Sequence, residues 1–388
     1  MITRRALLVT AAASAVAALT ACVPNAGRGT QAASSSSSGI SSTTTLGSAP
    51  KPTFVAPLVP QAPRTVLEGL DSPWQIAFLP RDDASGQRSA LLTSRDTGVV
   101  FRVDVPNAQG GTAQKSEVAR VPEVYHGGEG GLLGIALSPD YSESNQVYVY
   151  RTVSGGNQVL STRDFRRFEM VIEGIPRSRI HNGGRMVFGP DGALYVGTGD
   201  AGRREVAQEL EKLGGKILRH DPSSGKTTVF SHGHRNVQGL AFTSSGELWA
   251  TELGPDKDDE LQRIYQGGNY GWPLTTGYGT SEVSEGRSRP AHHVWESTAD
   301  ASPSGLAISG QTAYVAALRG QRLWVVSLPK GLSHDADTPI PAGPLPQLDP
   351  PEFKGSRLRD VAVTPDGKSL WILTDEGPAS RLLVAALA

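Results

Sequence analysis

HNGGRMVFGPDGALYVGTGD, residues 181–200, holds two short apolar runs, Met186–Phe188 and Leu194–Val196, separated by Gly189-Pro190-Asp191-Gly192. Proline presets φ for a tight turn and glycine supplies positive φ, so Pro-Asp-Gly between apolar runs predicts a β-hairpin. The outer ends of a hairpin meet. His181 precedes the first strand and Asp200 follows the second, so the imidazole and the carboxylate are expected as neighbours at one rim. A base with an orienting acid is a minimal proton-transfer unit. Taken alone, such a pair is more often a plain structural hydrogen bond, and its weight comes from the rest of the chain.

The hairpin recurs. Its first strand and turn reappear as SPWQIAFLP (72–80), GLLGIALSPD (131–140), VQGLAFTSSG (237–246), PSGLAISG (303–310) and LRDVAVTPDG (358–367), each followed by a second apolar run such as QVYVYRT (146–152) or SLWILTDEG (369–377). Six units, about 50–65 residues apart, each with about four strands, predict an all-β, six-bladed β-propeller. Ala77, Ala136, Ala307 and Ala362 suit inner strands crowded around a channel. The starts of the first strands and the ends of the second strands share one face of such a disc. That face should collect His181, Asp200, Arg95, Arg151, Glu252, Arg319, Arg357, Arg359 and Asp375.

Composition agrees with a turn-rich β protein: 45 Gly and 27 Pro against only 3 Met in 388 residues. A net charge of -1 gives no argument for nucleic acid or for a basic membrane patch. Residues 1–22 read as a targeting segment, with Arg4 and Arg5 ahead of the apolar run Ala6–Leu19. That run ends in Leu19-Thr20-Ala21-Cys22, which resembles a bacterial lipoprotein signal with lipid on Cys22. Cys22 is the only cysteine, so the chain has no internal disulfide. Residues 23–62, rich in Ser, Thr, Ala, Gly and Pro, read as a flexible tether. The propeller is expected over 63–388. The whole would sit outside the cytoplasmic membrane on its lipid anchor.

The central motifs carry a specific resemblance. HNGGRMVFGPDGALYVGTGD, GHRNVQGLAF (233–242) and ELGPDKDDELQRIYQGGNYGWP (252–273) resemble the soluble quinoprotein sugar dehydrogenases, the glucose/sorbosone dehydrogenase family, as do EGGLLGIALSPDY (129–141) and GKILRHDP (215–222). The resemblance implies a propeller that uses pyrroloquinoline quinone (PQQ) and Ca2+ to oxidise the anomeric carbon of an aldose to the lactone, passing electrons to a further acceptor. By position, His181 matches the family's general base and Asp200 the carboxylate that orients it. Arg235 and Asn236 match the pair that reaches the quinone oxygens, and Arg235 is expected to stabilise charge there. Arg357 and Arg359 match the residues that bind the cofactor's carboxylates.

Gly254 and Pro255 match the backbone carbonyls that hold the cofactor's calcium, while Glu260 and Tyr270 match a second calcium position whose further acidic ligand is Thr280 here. Glu129 stands where the glucose-oxidising branch has glutamine and resembles the aldose dehydrogenase branch. Arg319 stands where a lysine is expected, which keeps the charge but not the compact ammonium. Gln208 matches a cofactor-side glutamine. The competing expectation is a non-catalytic propeller that binds a sugar or a protein partner. A metal-dependent lactonase would need acidic side chains around a central metal, and the inner strand ends offer mainly arginines.

Overall fold

The computed structural model describes residues 53–80, 88–106, 111–284, 286–330, 347–348 and 350–387. The targeting segment, Cys22 and the tether as far as residue 52 lie outside the described residues. Within them the regular secondary structure is almost entirely strand, arranged as six four-stranded antiparallel sheets in a β-propeller. The predicted hairpin is present: Met186–Phe188 pairs with Leu194–Gly197 in the register Met186↔Val196 and Phe188↔Leu194. Lys216–Asp221 and Lys226–His232 complete that sheet, the third blade.

The other inner strands are Pro73–Phe78, Leu132–Leu137, Val237–Phe242, Pro303–Ser309 and Leu358–Val363. They fall on the repeats read from the sequence. Arg64–Leu70 lies ahead of the first repeat. The last repeat supplies only three strands, and Arg64–Leu70 adds the fourth by pairing antiparallel with Ser380–Ala386. The first strand of the domain therefore closes the last blade.

A single sheet cannot bury both faces, so each packs on its neighbours. Ile76 and Leu92 of the first blade meet Trp371, Leu373 and Leu382 of the sixth, and Leu133 and Tyr150 of the second meet Met186 and Val196 of the third. Equivalent clusters fill the remaining four seams. Fully burying one such Leu or Ile contributes ~1.5–3 kcal/mol, so the core is distributed around the ring.

The boundary at residue 62 needs correction. From Thr53 the chain is hydrogen-bonded to the propeller: Leu58 N–H donates to Thr312 Oγ1 (3.0 Å), Tyr314 Oη donates to the Leu58 carbonyl (2.8 Å), and Gln61 N–H donates to the Ala386 carbonyl (2.9 Å). Composition misses this because the segment docks mainly through backbone groups, which every residue carries. Among the described residues no helix is long and apolar enough to cross a membrane.

Candidate active site

The two ends of the opening hairpin approach so closely that only glycine fits between them. Gly183 has φ +61°, and a Cβ there would lie 2.5 Å from Thr198 Cα. A Cβ on Gly199 would lie 2.0 Å from the His181 carbonyl oxygen. His181 itself adopts φ +55°, a left-handed conformation that costs a non-glycine residue ~1–2 kcal/mol. It is held there from both sides: its N–H donates to Glu129 Oε2 (2.6 Å) and its carbonyl accepts from Ala201 N–H (3.1 Å). This close crossing brings His181 Nδ1 within 2.7 Å of Asp200 Oδ1.

Asp200 is fully buried. Burial alone would raise its pKa, yet hydrogen bonds from His181, Gly202 N–H (2.7 Å) and Trp272 Nε1 (2.9 Å) hold it below the usual carboxylate value. An ionised carboxylate only accepts hydrogen bonds, so Nδ1 of neutral His181 carries its proton and Nε2 remains an acceptor. The sequence had not singled out Trp272, although NYGWP lay within a quoted motif. The chain from Asn269 to Trp272 is pinned to the third blade by Tyr270 N–H to the His232 carbonyl (2.9 Å) and Trp272 N–H to the Gly233 carbonyl (3.0 Å), which places the indole against Asp200.

Beside the pair lies a cavity of about 220 Å3. Glu129, Asn236, Arg319, Arg357 and Arg359 line it, together with Asn182 and Gly183, the neighbours of His181. Trp74, Arg95, Gln238 and Ser302 also line it. Of these only Arg95 had been placed on this face. Four guanidinium groups thus surround one small space, which favours an anionic occupant.

Their own partners leave capacity for one. Arg359 Nη2 lies 2.5 Å from Asp375 Oδ2, but its Nε is buried without a partner, as is Asn236 Nδ2. Arg95 is paired with Asp96 (2.6 and 3.2 Å), and Arg357 Nε is 3.7 Å from Asp375. Behind Trp74, the Arg185 guanidinium stacks at 4.4 Å and pairs with Asp360 at 2.8 Å, tying the third blade to the sixth.

A second, narrower cavity shares Leu253 with the first and is lined by Arg235, Glu252, Gly254, Glu260, Tyr270 and Trp272. The expected metal-linked residues Gly254, Glu260 and Tyr270 therefore converge, with Pro255 adjacent in the chain. Their side chains are engaged already. Glu260 accepts from Gly277 N–H (2.5 Å) and Gln262 Nε2 (2.8 Å), and Tyr270 Oη donates to the Arg263 carbonyl (2.7 Å). Burial, reinforced by the Glu252 charge, pushes the Glu260 carboxyl well above its ordinary value. Among the described residues no three acidic, histidine or cysteine side chains cluster as a metal site.

Arg235 donates through Nη1 to the Leu253 carbonyl (3.0 Å), and its N–H and that of Asn236 both go to Glu252. Two residues stand apart. Gln208 exchanges hydrogen bonds with Asn269 and the Trp272 carbonyl and lines neither cavity. Arg151, expected on the same face, is spent on the Pro122 carbonyl and Gln158.

The chain matches the family model described as Glucose / Sorbosone dehydrogenase over residues 70–384. It is similar to the aldose sugar dehydrogenase YliI of Escherichia coli, 30% identical over 81% of this chain and 90% of that one. It also resembles the quinoprotein glucose dehydrogenase B of Acinetobacter calcoaceticus, 32% identical over 55% and 53%. Among solved structures, the PQQ-bound aldose sugar dehydrogenase of Streptomyces coelicolor superposes with a TM-score of 0.72 at 37% identity, covering 84% of this chain and 99% of that one.

Proposed function

Because the chain belongs to the glucose/sorbosone dehydrogenase family, we propose that this PQQ-dependent sugar oxidoreductase oxidises the anomeric carbon of an aldose to the lactone, with His181 as general base. The observation that carries the residue assignment is the His181–Asp200 pair beside a cavity walled by Arg95, Arg319, Arg357 and Arg359. The donor set fits PQQ. A tri-acid quinone presents carboxylate and carbonyl acceptors, and the cavity offers guanidinium groups and the unpartnered Asn236 Nδ2. Arg319, Arg357 and Arg359 would hold the carboxylates, and Arg235 with Asn236 the quinone oxygens. When bound, PQQ supplies the acceptor for the hydride leaving the sugar.

The chain's own residues handle the proton. Asp200 fixes His181 in the tautomer with hydrogen on Nδ1, which leaves Nε2 as the basic nitrogen for the substrate's proton. Trp272 and Gly202 hold the carboxylate ionised and aimed, and so stabilise the imidazolium formed once the anomeric hydroxyl proton has moved to Nε2. Glu129, bonded to the His181 amide, sets the backbone twist that presents the ring. Calcium would be held through the Gly254 and Pro255 carbonyls, a donor type it accepts readily.

The Cys22 signal supports a lipid-anchored, extracytoplasmic enzyme that hands electrons to an acceptor of the envelope. The test is reconstitution: protein without cofactor, supplied with PQQ and calcium, should reduce a redox dye with aldoses. His181→Ala should take up PQQ nearly normally while losing ~10²–10⁴-fold in turnover. Turnover by His181→Ala equal to the unsubstituted protein would overturn the assignment.

A further inference from the structure

Lys216 is fully buried, and the chemistry above makes no use of it. Its ammonium donates to three backbone carbonyls, those of Val206 (2.7 Å), Ala207 (3.1 Å) and Gly214 (2.7 Å). All three belong to the 198–215 connection that leaves the second strand of the third blade and carries Asp200. Lysine is rarely buried so completely, and its compact ammonium has three rotatable donors, one for each carbonyl.

The tripod backs directly onto the site. Gly215 N–H donates to the Gly199 carbonyl (3.0 Å), Gly233 N–H to the Ala207 carbonyl (2.9 Å) and His234 N–H to the Gly215 carbonyl (3.2 Å). Gly199 in turn bridges Asn236, and Asp200 N–H donates to the Arg235 carbonyl (2.8 Å).

We propose that Lys216 is a positioning residue: its buried ammonium gathers the 198–215 connection onto itself and thereby fixes Asp200 against Arg235 and Asn236. The Val206 carbonyl also accepts from Glu209 N–H (3.2 Å) and the Ala207 carbonyl from Gly233 N–H (2.9 Å), so the ammonium's own contribution is to tie Gly214 back to them. Burial lowers the Lys216 pKa to about 8, against the opposing fields of Glu209 and Glu211 on the same connection. Across the seam the titratable group is His234, whose ring is turned to Ser231 and Glu252. Because the Lys216 value lies below the ordinary 10.5 of a lysine, the closed connection binds fewer protons than an opened one above pH 8, so it should tighten as pH rises through about 8, while the strands hold.

Two measurements test this, and the kinetic one rests on sugar oxidation at His181. Hydrogen exchange on the cofactor-free full chain, corrected for the intrinsic pH dependence, should show residues 198–215 gaining protection about tenfold between pH 7 and pH 9.5, with the turn at Asp221–Lys226 unchanged. Lys216→Met should be less protected there already at pH 7 and show no step. With PQQ, calcium and an aldose, Lys216→Met should lower kcat about tenfold with KM nearly unchanged. Exchange at 198–215 in unsubstituted protein without a step between pH 7 and 9.5 overturns the proposal, whether or not the variant folds. An unaltered kcat in a folded Lys216→Met overturns it too. Absence of sugar oxidation in the unsubstituted protein would count against the enzymatic reading and leave the exchange result standing.

Discussion

Asp200→Asn is the sharpest probe of the site, because it changes charge and donor pattern at nearly constant volume. Asp200 accepts three hydrogen bonds, from His181 Nδ1, Gly202 N–H and Trp272 Nε1, within 2.7–2.9 Å. An amide has one acceptor oxygen and one NH2 group. If the oxygen serves His181 and Gly202, which share Oδ1, the NH2 meets Trp272 Nε1–H and two donors oppose each other. If it serves Trp272, the NH2 faces His181 Nδ1, and the imidazole must move its proton to Nε2. The first arrangement keeps the base and leaves a buried donor unsatisfied, at ~1–3 kcal/mol. The second sets the NH2 against Gly202 N–H instead, which shares Oδ1 with His181, and it also removes the base. Each arrangement thus leaves one fixed N–H without its acceptor. Even the first removes the ionised partner that stabilises the imidazolium. The expected result is a kcat loss of ~10²-fold, smaller than for His181→Ala, with PQQ uptake close to the unsubstituted value and a thermal midpoint lower by a few degrees. Dye-linked turnover and a calorimetric scan on the same preparation decide it. Full turnover in Asp200→Asn would show that the carboxylate neither sets the tautomer nor stabilises the proton on His181.

Arg235→Ala should weaken calcium-dependent PQQ binding by at least tenfold in calorimetry, since one charge-assisted partner of the quinone is lost; unaltered affinity would remove Arg235 from the cofactor set. Burial lowers the pKa of His292 and of His293 to about 4. Folded protein therefore keeps both neutral where the unfolded chain protonates, so stability is full above the unfolded value of about 6.5 and falls as pH drops toward 4, by ~3 kcal/mol per histidine at most. Urea midpoints measured from pH 7 to pH 4 should flatten in His293→Phe, and an unchanged slope would discount that ring. Cys22→Ala should move the protein from the membrane to the soluble fraction with its fold intact, and continued membrane fractionation would exclude the lipid anchor.

The propeller was legible because its signal is repeated. One Pro-Asp-Gly turn between apolar runs is weak, whereas six hairpins in phase leave little else that buries every sheet, and the inner strands fall where the runs lie. Two features of the fold were not legible for a common reason. Arg64–Leu70 closes the sixth blade and Thr53–Gln61 docks on the fifth and sixth, and both join distant parts of the chain largely through backbone hydrogen bonds, which no side-chain pattern records.

The site divides along the same line. His181 and Asp200 could be paired from the hairpin because its ends must meet, and the arginines from the face on which their strands end. What the sequence could not order is the second layer, because it is built from side chain to backbone. Glu129 was read as a cofactor contact, yet one of its oxygens is engaged with the His181 amide. Gln208 was read the same way, yet it bonds Asn269 and the Trp272 carbonyl and so braces the chain that carries the indole to Asp200. Trp272 and Lys216 sit inside recognisable motifs, but their partners are a carboxylate 72 residues away and three carbonyls of a single connection. A base can be found from the residues that flank a turn. Its orientation depends on which polar atoms remain once the backbone has satisfied itself, and only the packed chain settles that.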